Sequence, residues 1–302
     1  MYLFMINRAA GNGNGYRTWL KVREILEERN IIYKHIYTTN SEEAVQLLTH
    51  LLSTQTGWQA VTVIGGDGTI HSVLPVLRHY QIPLGIIPAG SGNDTARAFD
   101  IPMSCTAALD IVLSGQRQRS DLISSAGIYT LTALAIGFDA AVANNVNLSL
   151  YKKICNFLRI GRLAYIIGVL HTLMTFKPGK ATVTCDGQTD VFEGTWMTAI
   201  TNSNSYGGGL VICPQAKHND GFLDVCVVQG CSRWQLLRLF PTVMTGKHVH
   251  LSFVKMLRGR EITVTFDDHR LALGDGERIS CLPYSASVDQ DALHVLSPLK
   301  AS

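Results

Sequence analysis

What most constrains the fold of this chain is an alternation. Through its first third, apolar runs of strand length are each followed by a turn rich in small or polar residues and then by an amphipathic segment of helix length. Tyr2 to Ile6 leads through the glycine-rich turn GNGNG into YRTWLKVREILEERN, where Trp19, Val22, Ile25, Leu26 and Arg29 recur at helical spacing with charge opposite. The next pair is IIYKHIYT with NSEEAVQLLTHLL, in which Asn40 and Glu43 have the spacing of an N-terminal capping box. WQAVTVI with IHSVLPVLRHY, and PLGIIPAG with NDTARAF, make two further pairs. Pro75 inside the third helical stretch predicts a late helix start or a kink, since proline has no N–H to give to the turn before it. Repeated βα units imply a parallel, doubly wound sheet.

After about Asp121 the texture changes. Short β-rich runs punctuated by Gly, Asn and Asp follow one another: IYTLTALAIGF, KATVTCDG, TWMTAITNS, GFLDVCVVQG, EITVTFDD and RLALGDGERIS. Few crossover helices separate them, which favours an antiparallel sandwich, with helical pieces near Ser149 to Phe176 and Ser232 to Thr245. With 302 residues the chain is long for one core, so the expectation is an α/β domain over 1–124 and an all-β sandwich over 125–283, with the tail 284–302 packing back onto the first.

A hydrophobic content of 46% with 16% charged residues describes a chain that folds rather than one that stays disordered. The net charge of +3, without dense Lys/Arg blocks, argues against nucleic acid as a partner and tolerates an anionic ligand or membrane surface. The seven cysteines are scattered and never spaced CxxC, so neither a disulfide framework nor a zinc ribbon is indicated, and a reducing, cytoplasmic compartment is expected. The start lacks the pattern of a signal peptide, and no apolar run approaches the roughly 20 residues of a membrane-spanning helix.

In VTVIGGDGT, a strand delivers glycines to the carboxyl edge of the parallel sheet, where ligands of such folds bind. Glycines there leave backbone N–H groups uncovered for phosphate oxygens, and the helix start adds its partial positive charge. Asp67 then fits a magnesium partner or an orienter of phosphates; by itself the stretch reads equally well as a tight turn with a helix-capping Asp. PLGIIPAGSGNDTARAF repeats the arrangement one βα unit later, so the two loops build one anion site. Neither loop is a GxxxxGK[ST] P-loop, and GNGNG lacks the GxGxxG spacing of a dinucleotide site.

GGDGT, GIIPAGSGNDTARAF, TNSNSYGGGLVICPQAKHNDGFLDV and the DGE at Asp275 to Glu277 occur in the order that resembles the diacylglycerol kinase catalytic-domain family, especially its stand-alone bacterial lipid kinases. The resemblance covers nearly the whole chain. It implies a nucleotide-binding α/β domain, a β-sandwich, a cleft between them, and transfer of the ATP γ-phosphate to a lipid hydroxyl with Mg2+. Carried onto this sequence, the phosphate loop is Gly65, Gly66, Asp67, Gly68 and Thr69, and the second nucleotide loop is Gly90, Ser91, Gly92, Asn93 and Asp94. An NPxSG element near the nucleotide falls on Asn7 to Gly11, without its Pro and Ser. Asp275 is implied as the base and Glu277 as its support, with Asp67 and Asp94 organising magnesium.

Two departures bear on activity. Where the family usually continues from GGDGT with Asn and Glu, this chain has His71 and Ser72. Asp220, in a DGxLDV match, is either a structural metal ligand or a turn residue. In SLYKKICNFLRIGRLAYIIGVL, Leu150, Ile154, Phe157 and Leu158 share one helical face, and Lys152, Lys153, Arg159 and Arg162 offer charge for transient contact with an anionic membrane. A homodimer is compatible with the family. NAD kinase, which shares GGDGT, and a catalytically silent nucleotide- or lipid-binding protein remain as alternatives.

Overall fold

The strands β1 (Tyr2–Asn7), β2 (Tyr33–Thr38), β3 (Ala60–Gly65) and β4 (Leu84–Pro88) pair in parallel in the spatial order β2, β1, β3, β4. Residues 1–148, 161–280 and 283–298 are described in this computed structural model. Every residue of β3 and β4 is buried, as expected of central parallel strands covered on both faces. The covering helices are α1 (Ala10–Glu28), α2 (Ser41–Thr54), α3 (Asp67–Tyr80), α4 (Asp94–Ala98) and α5 (Cys105–Ser114). In α1, Gly11, Asn12 and Gly13 have left-handed backbone, and regular helix follows with Trp19, Val22 and Leu26 buried. Ile25 packs at the edge of this core, and Arg29 lies just beyond the helix.

Asn40 Oδ1 accepts the Glu43 N–H at 2.9 Å, as the capping spacing predicts. The Glu43 carboxylate, however, answers the N–H of Thr39 at 2.9 Å and its hydroxyl at 2.6 Å, so the reciprocal half of the box is displaced by one residue. Of the late start or kink expected for α3, the late start is not found. The helix begins at Asp67 and runs through Pro75, its first turn closed by Thr69 and Ile70 N–H groups on the Gly66 carbonyl at 3.0 and 3.2 Å. An interior proline costs about 3 kcal/mol. Val73, Leu74, Val76 and Leu77 around it are all buried at roughly 1.5–3 kcal/mol each, which outweighs that cost.

The remaining elements are β5 (Arg117–Ser125), β6 (Ile128–Thr130), β7 (Ala133–Gly137), α6 (Phe138–Leu148), α7 (Gly161–Thr175), β8 (Gly179–Cys185), β9 (Gln188–Thr201), β10 (Leu223–Gln229), α8 (Arg233–Val243), β11 (Val254–Gly259), β12 (Glu261–Phe266), β13 (Ala272–Gly274), β14 (Glu277–Ile279) and β15 (Tyr284–Leu296). Strands from β5 to β14 pair antiparallel, and Leu134, Ile136, Val183, Ile200, Val225, Val227, Ile262 and Val264 fill the sandwich interior. A second apolar cluster lies under α6, α7 and α8, where the rings of Phe138, Phe176 and Trp196 meet.

β15 joins the halves. It pairs with β12 through Tyr284 to Ser287 and with β5 as far as Leu296, while Val295 meets Leu84 of β4 in parallel. Ala292, Leu293 and Val295 belong to the core of the parallel sheet. Asp121 locks this junction, its buried carboxylate accepting the N–H groups of Gly221 and Asp291, each at 2.8 Å. No helix among the described residues is long and apolar enough to cross a membrane. The described cysteines, Cys105, Cys185, Cys213, Cys226 and Cys231, are free thiols.

Candidate active site

Parallel strands present their carboxyl ends along one edge, and the loops that leave them meet there. The carbonyl of Gly65 accepts the N–H groups of Ala89 and Gly90 at 2.8 and 3.1 Å, which ties the loop after β3 to the loop after β4. The approach is close enough that a Cβ on Gly90 would stand 2.5 Å from the Gly66 Cα, so glycine is required on steric grounds. The Asn7 side chain donates to Thr69 Oγ1 at 2.9 Å and accepts the Ala9 N–H at 3.1 Å, bringing the end of β1 to the same place. Asn93, with φ at 55°, closes the second loop by pairing its amide with the N–H and carbonyl of Gly90 at 2.9 and 3.0 Å.

Asp67 Oδ1 accepts the Thr95 N–H at 2.9 Å. Its other oxygen lies 2.9 Å from where a Cβ on Gly92 would be, so Gly92 leaves this oxygen room. Asp94 reaches across to the sandwich half, accepting the Gly207 and Gly208 N–H groups at 3.0 and 2.8 Å. Burial, and after it the charge of Asp67, pushes the Asp94 carboxyl above the usual range. A carboxylate whose ionisation is opposed by a neighbouring one suits a divalent cation, and Asp94 and the Asp67 beside it are the residues that fit one.

These loops line one cleft of 390 Å3. Asn7, Gly11, Gly66, Asp67, Gly68, Thr69, Gly90, Ser91 and Gly92 all border it, and Glu277 enters from the sandwich. Sequence reading did not assign Thr38 to Ser41 to this site, although they border it too. Their signal was available, because β2 is another parallel strand ending at the same edge. Gly207 and Gly208 were quoted within a motif but given no role; they are the docking point of Asp94.

The turn between β13 and β14 places Asp275 at φ 48°, with its side chain only 2% exposed. Its carboxylate accepts the Leu131 N–H at 2.7 Å, the Thr132 N–H at 2.8 Å and the Thr132 hydroxyl at 2.6 Å. His71 Nδ1 lies 3.3 Å from Asp275 Oδ2. Behind this frame, the buried Asn202 amide donates to the carbonyls of Asp121 and Leu131 at 2.7 and 3.1 Å, which explains its place in the TNSNS stretch. Burial alone would raise the Asp275 carboxyl; the His71 hydrogen bond and charge, with those of Thr132 and Leu131, overcome it and hold the carboxyl below its usual value. For His71, burial works downward but the hydrogen bond and charge of Asp275, with the charge of Glu277, win and raise it.

Asp275 is therefore placed differently from a base open to an acceptor hydroxyl, because its lone pairs are already engaged. Glu277 is the exposed carboxylate of the hairpin, and among the described residues it forms no hydrogen bond to Asp275. Its Oε1 stands 2.6 Å from where a Cβ on Gly68 would be, facing the phosphate loop rather than its neighbour. Asp220 is not brought to the cleft loops. One oxygen accepts the Phe222 N–H at 3.2 Å and the other is paired with Arg258 at 2.5 Å, the geometry of a turn closed by an ion pair. Among the described residues no group of three or more His, Cys, Asp or Glu side chains is arranged to hold a metal ion. Lys152, Lys153, Arg159 and the apolar face of Leu150, Ile154, Phe157 and Leu158 lie outside the described residues, as does the side chain of Arg162.

The chain matches the family model of the diacylglycerol kinase catalytic domain over residues 1–125 and that of the YegS C-terminal NAD kinase beta sandwich-like domain over residues 132–297. It is 35% identical to a diacylglycerol kinase of Mycobacterium tuberculosis, over 97% of this chain and 94% of that protein. A diacylglycerol kinase of Bacillus subtilis is 26% identical over 79% and 77% of the two chains. Among solved structures, a diacylglycerol kinase from Bacillus anthracis superposes with a TM-score of 0.78 at 20% identity, over 98% of this chain and 96% of that one, a likeness of fold.

Proposed function

The chain belongs to the diacylglycerol kinase family and is a lipid kinase, and from that premise we propose that it transfers the γ-phosphate of ATP to the hydroxyl of diacylglycerol or a closely related lipid. The observation that carries the reading is convergence: the two glycine loops, Asn7 and the sandwich hairpin bearing Glu277 border one cleft. In this division of labour residues 1–124 hold the nucleotide and 125–283 the lipid. The cleft-lining glycines Gly66, Gly68 and Gly92 offer their amides to phosphate oxygens, Asn7 fixes Thr69, and Asn93 fixes the shape of the second loop. Phosphoryl transfer needs positioning and charge stabilisation more than covalent help from the protein, and preorganised amides supply both. Asp67 and Asp94 would hold Mg2+, which when bound neutralises phosphate charge. Asp94 also links the nucleotide loop to Gly207 and Gly208, so the same residue ties the sandwich half to the loop that holds the phosphates.

A lipid acceptor requires contact with a bilayer. Leu170 and Met174 on α7 are 46% and 74% exposed, and Trp234 at the start of α8 is 74% exposed. Arg233 at the start of α8 donates to the Leu173 and Phe176 carbonyls at 3.0 and 3.2 Å, which ties α8 to the C-terminal end of α7. The exposed apolar side chains of these helices are the proposed membrane contact. Incubation with labelled ATP, magnesium and either a total lipid extract or NAD tests the reading. Label in a phosphorylated lipid supports it, label in NADP supports the NAD kinase alternative, and label in neither supports a silent binding protein.

A further inference from the structure

Asp275, the carboxylate best placed by sequence to act as base, is buried and fully engaged, while a histidine with one free ring nitrogen stands between it and the cleft. We propose that His71 is the proton acceptor of the phosphoryl transfer, with Asp275 as the positioning residue that fixes its tautomer and orientation. The inference rests on the lipid kinase reading above.

The geometry determines which nitrogen is available. Asp275 already accepts from Leu131 N, Thr132 N and Thr132 Oγ1, so it is an ionised acceptor with no proton to give. The 3.3 Å contact to His71 Nδ1 is then Nδ1–H donating to Oδ2. In the neutral ring this leaves Nε2 as a lone-pair acceptor, the logic by which a carboxylate orients a catalytic imidazole. Among the described residues Nε2 has no hydrogen-bond partner. His71 is 13% exposed, and it lines a cleft of 530 Å3 with Gly68, Ser72 and Glu277, continuous in its lining residues with the phosphate-loop cleft. The charged groups that act on this ring are Asp275 and Glu277 from the hairpin, both carboxylates that favour an imidazolium once formed, and Glu42 of α2 lines the same cleft. The raised pKa of His71 agrees with a base that works near neutrality.

The step balances with a nucleoside triphosphate as donor. The acceptor hydroxyl oxygen forms its bond to the γ-phosphorus as the bond from that phosphorus to the β,γ-bridging oxygen breaks. The hydroxyl proton passes to His71 Nε2, the nucleoside diphosphate leaves, and the imidazolium returns its proton to water.

His71→Asn separates this role from a merely structural one, since the asparagine amide can still donate to Asp275 but cannot take a proton. The expected result is a kcat lower by about 10²-fold or more with the KM for ATP unchanged, general base catalysis being worth about 10²–10⁴. The parent protein should lose kcat/KM as pH falls through a pKa above the ordinary histidine value of about 6.5, and the variant should lack that limb. A variant with parental kcat and the same limb would overturn the proposal, as would a limb lying in the carboxylate range. If the parent phosphorylates no lipid, the functional reading fails instead. The ring is then tested on its own by 15N NMR of the intact protein: the proposal requires the Nδ1–H tautomer above the pKa, and an Nε2–H tautomer overturns it whatever the activity.

Discussion

Gly90→Ala tests whether the closeness of the two glycine loops is what makes the nucleotide site. Gly90 has no left-handed backbone, so an alanine there is resisted by space alone. Its Cβ would stand 2.5 Å from the Gly66 Cα and 2.9 Å from Asn93 Oδ1. Carbon atoms in good contact sit about 3.5–4.0 Å apart, so the loops must part by about 1 Å. Both obstacles resist: the Gly66 Cα is backbone, and Asn93 is held by its bonds to Gly90. Overpacking of this kind costs about 1–3 kcal/mol, and a displacement of about 1 Å at a reacting centre lowers turnover by up to about 10²-fold. Gly66→Ala approaches the Gly90 Cα only to 3.0 Å, so it should do less on both counts. Thermal unfolding and steady-state lipid phosphorylation of the two variants measure the effects together. Parental activity in Gly90→Ala, or a Gly66→Ala variant more damaged than Gly90→Ala, would refute the steric argument.

Asp67→Asn should keep the Thr95 contact and the melting temperature while lowering turnover by about 10²-fold, because the charge that organises cation and phosphates is gone; steady-state kinetics with unfolding as control checks it. Asp121→Ala should destabilise, leaving the buried Gly221 N–H unpaired at roughly 1–3 kcal/mol and removing the partner of the part-buried Asp291 N–H, as chemical denaturation will show. Burial lifts the carboxyl of Asp139 from 3.8 to about 6, with the Tyr206 hydrogen bond opposing the rise. A raised folded-state pKa gives stability that is complete below the unfolded value and is lost as pH rises through about 6, here up to about 3 kcal/mol. Asp139→Asn should remove that loss, so unfolding midpoints of parent and variant should diverge between about pH 4 and pH 7; parallel profiles would contradict the assignment. Replacing Met174 and Trp234 together by Ser should weaken binding to anionic vesicles in a sedimentation assay and leave activity on detergent-dispersed short-chain lipid intact.

The parallel sheet was legible because each βα unit carries its own local signals. Val61 to Gly65 reads as a buried strand, and the glycines after it follow from the chemistry of a sheet edge. Asn40 was legible as a cap for the same local reason. The path of α3 through Pro75 was not, because the decision lies in the burial of Val73, Leu74, Val76 and Leu77 against elements distant in sequence. Helix α6 and strand β11 were missed, since Phe138 to Leu148 has weak amphipathic spacing and Val254 to Gly259 is short and interrupted by charge. Within the site, residue types pointed to the glycine loops, but the accessibility of a carboxylate could not be read from Asp275 and Glu277 as letters. Leu131 and Thr132, more than a hundred residues away in the chain, take up the lone pairs of Asp275. The same distance hid the meaning of His71, which reads as a departure from a motif until its ring is seen against Asp275.

The fate of the terminal phosphate tests the central claim most directly. Purified protein given magnesium, diacylglycerol vesicles and ATP labelled either at the γ or at the α position should move only γ-label into the lipid, one lipid phosphate for each ADP formed. ADP without labelled lipid, or no ADP at all under conditions where ATP is bound, would contradict it.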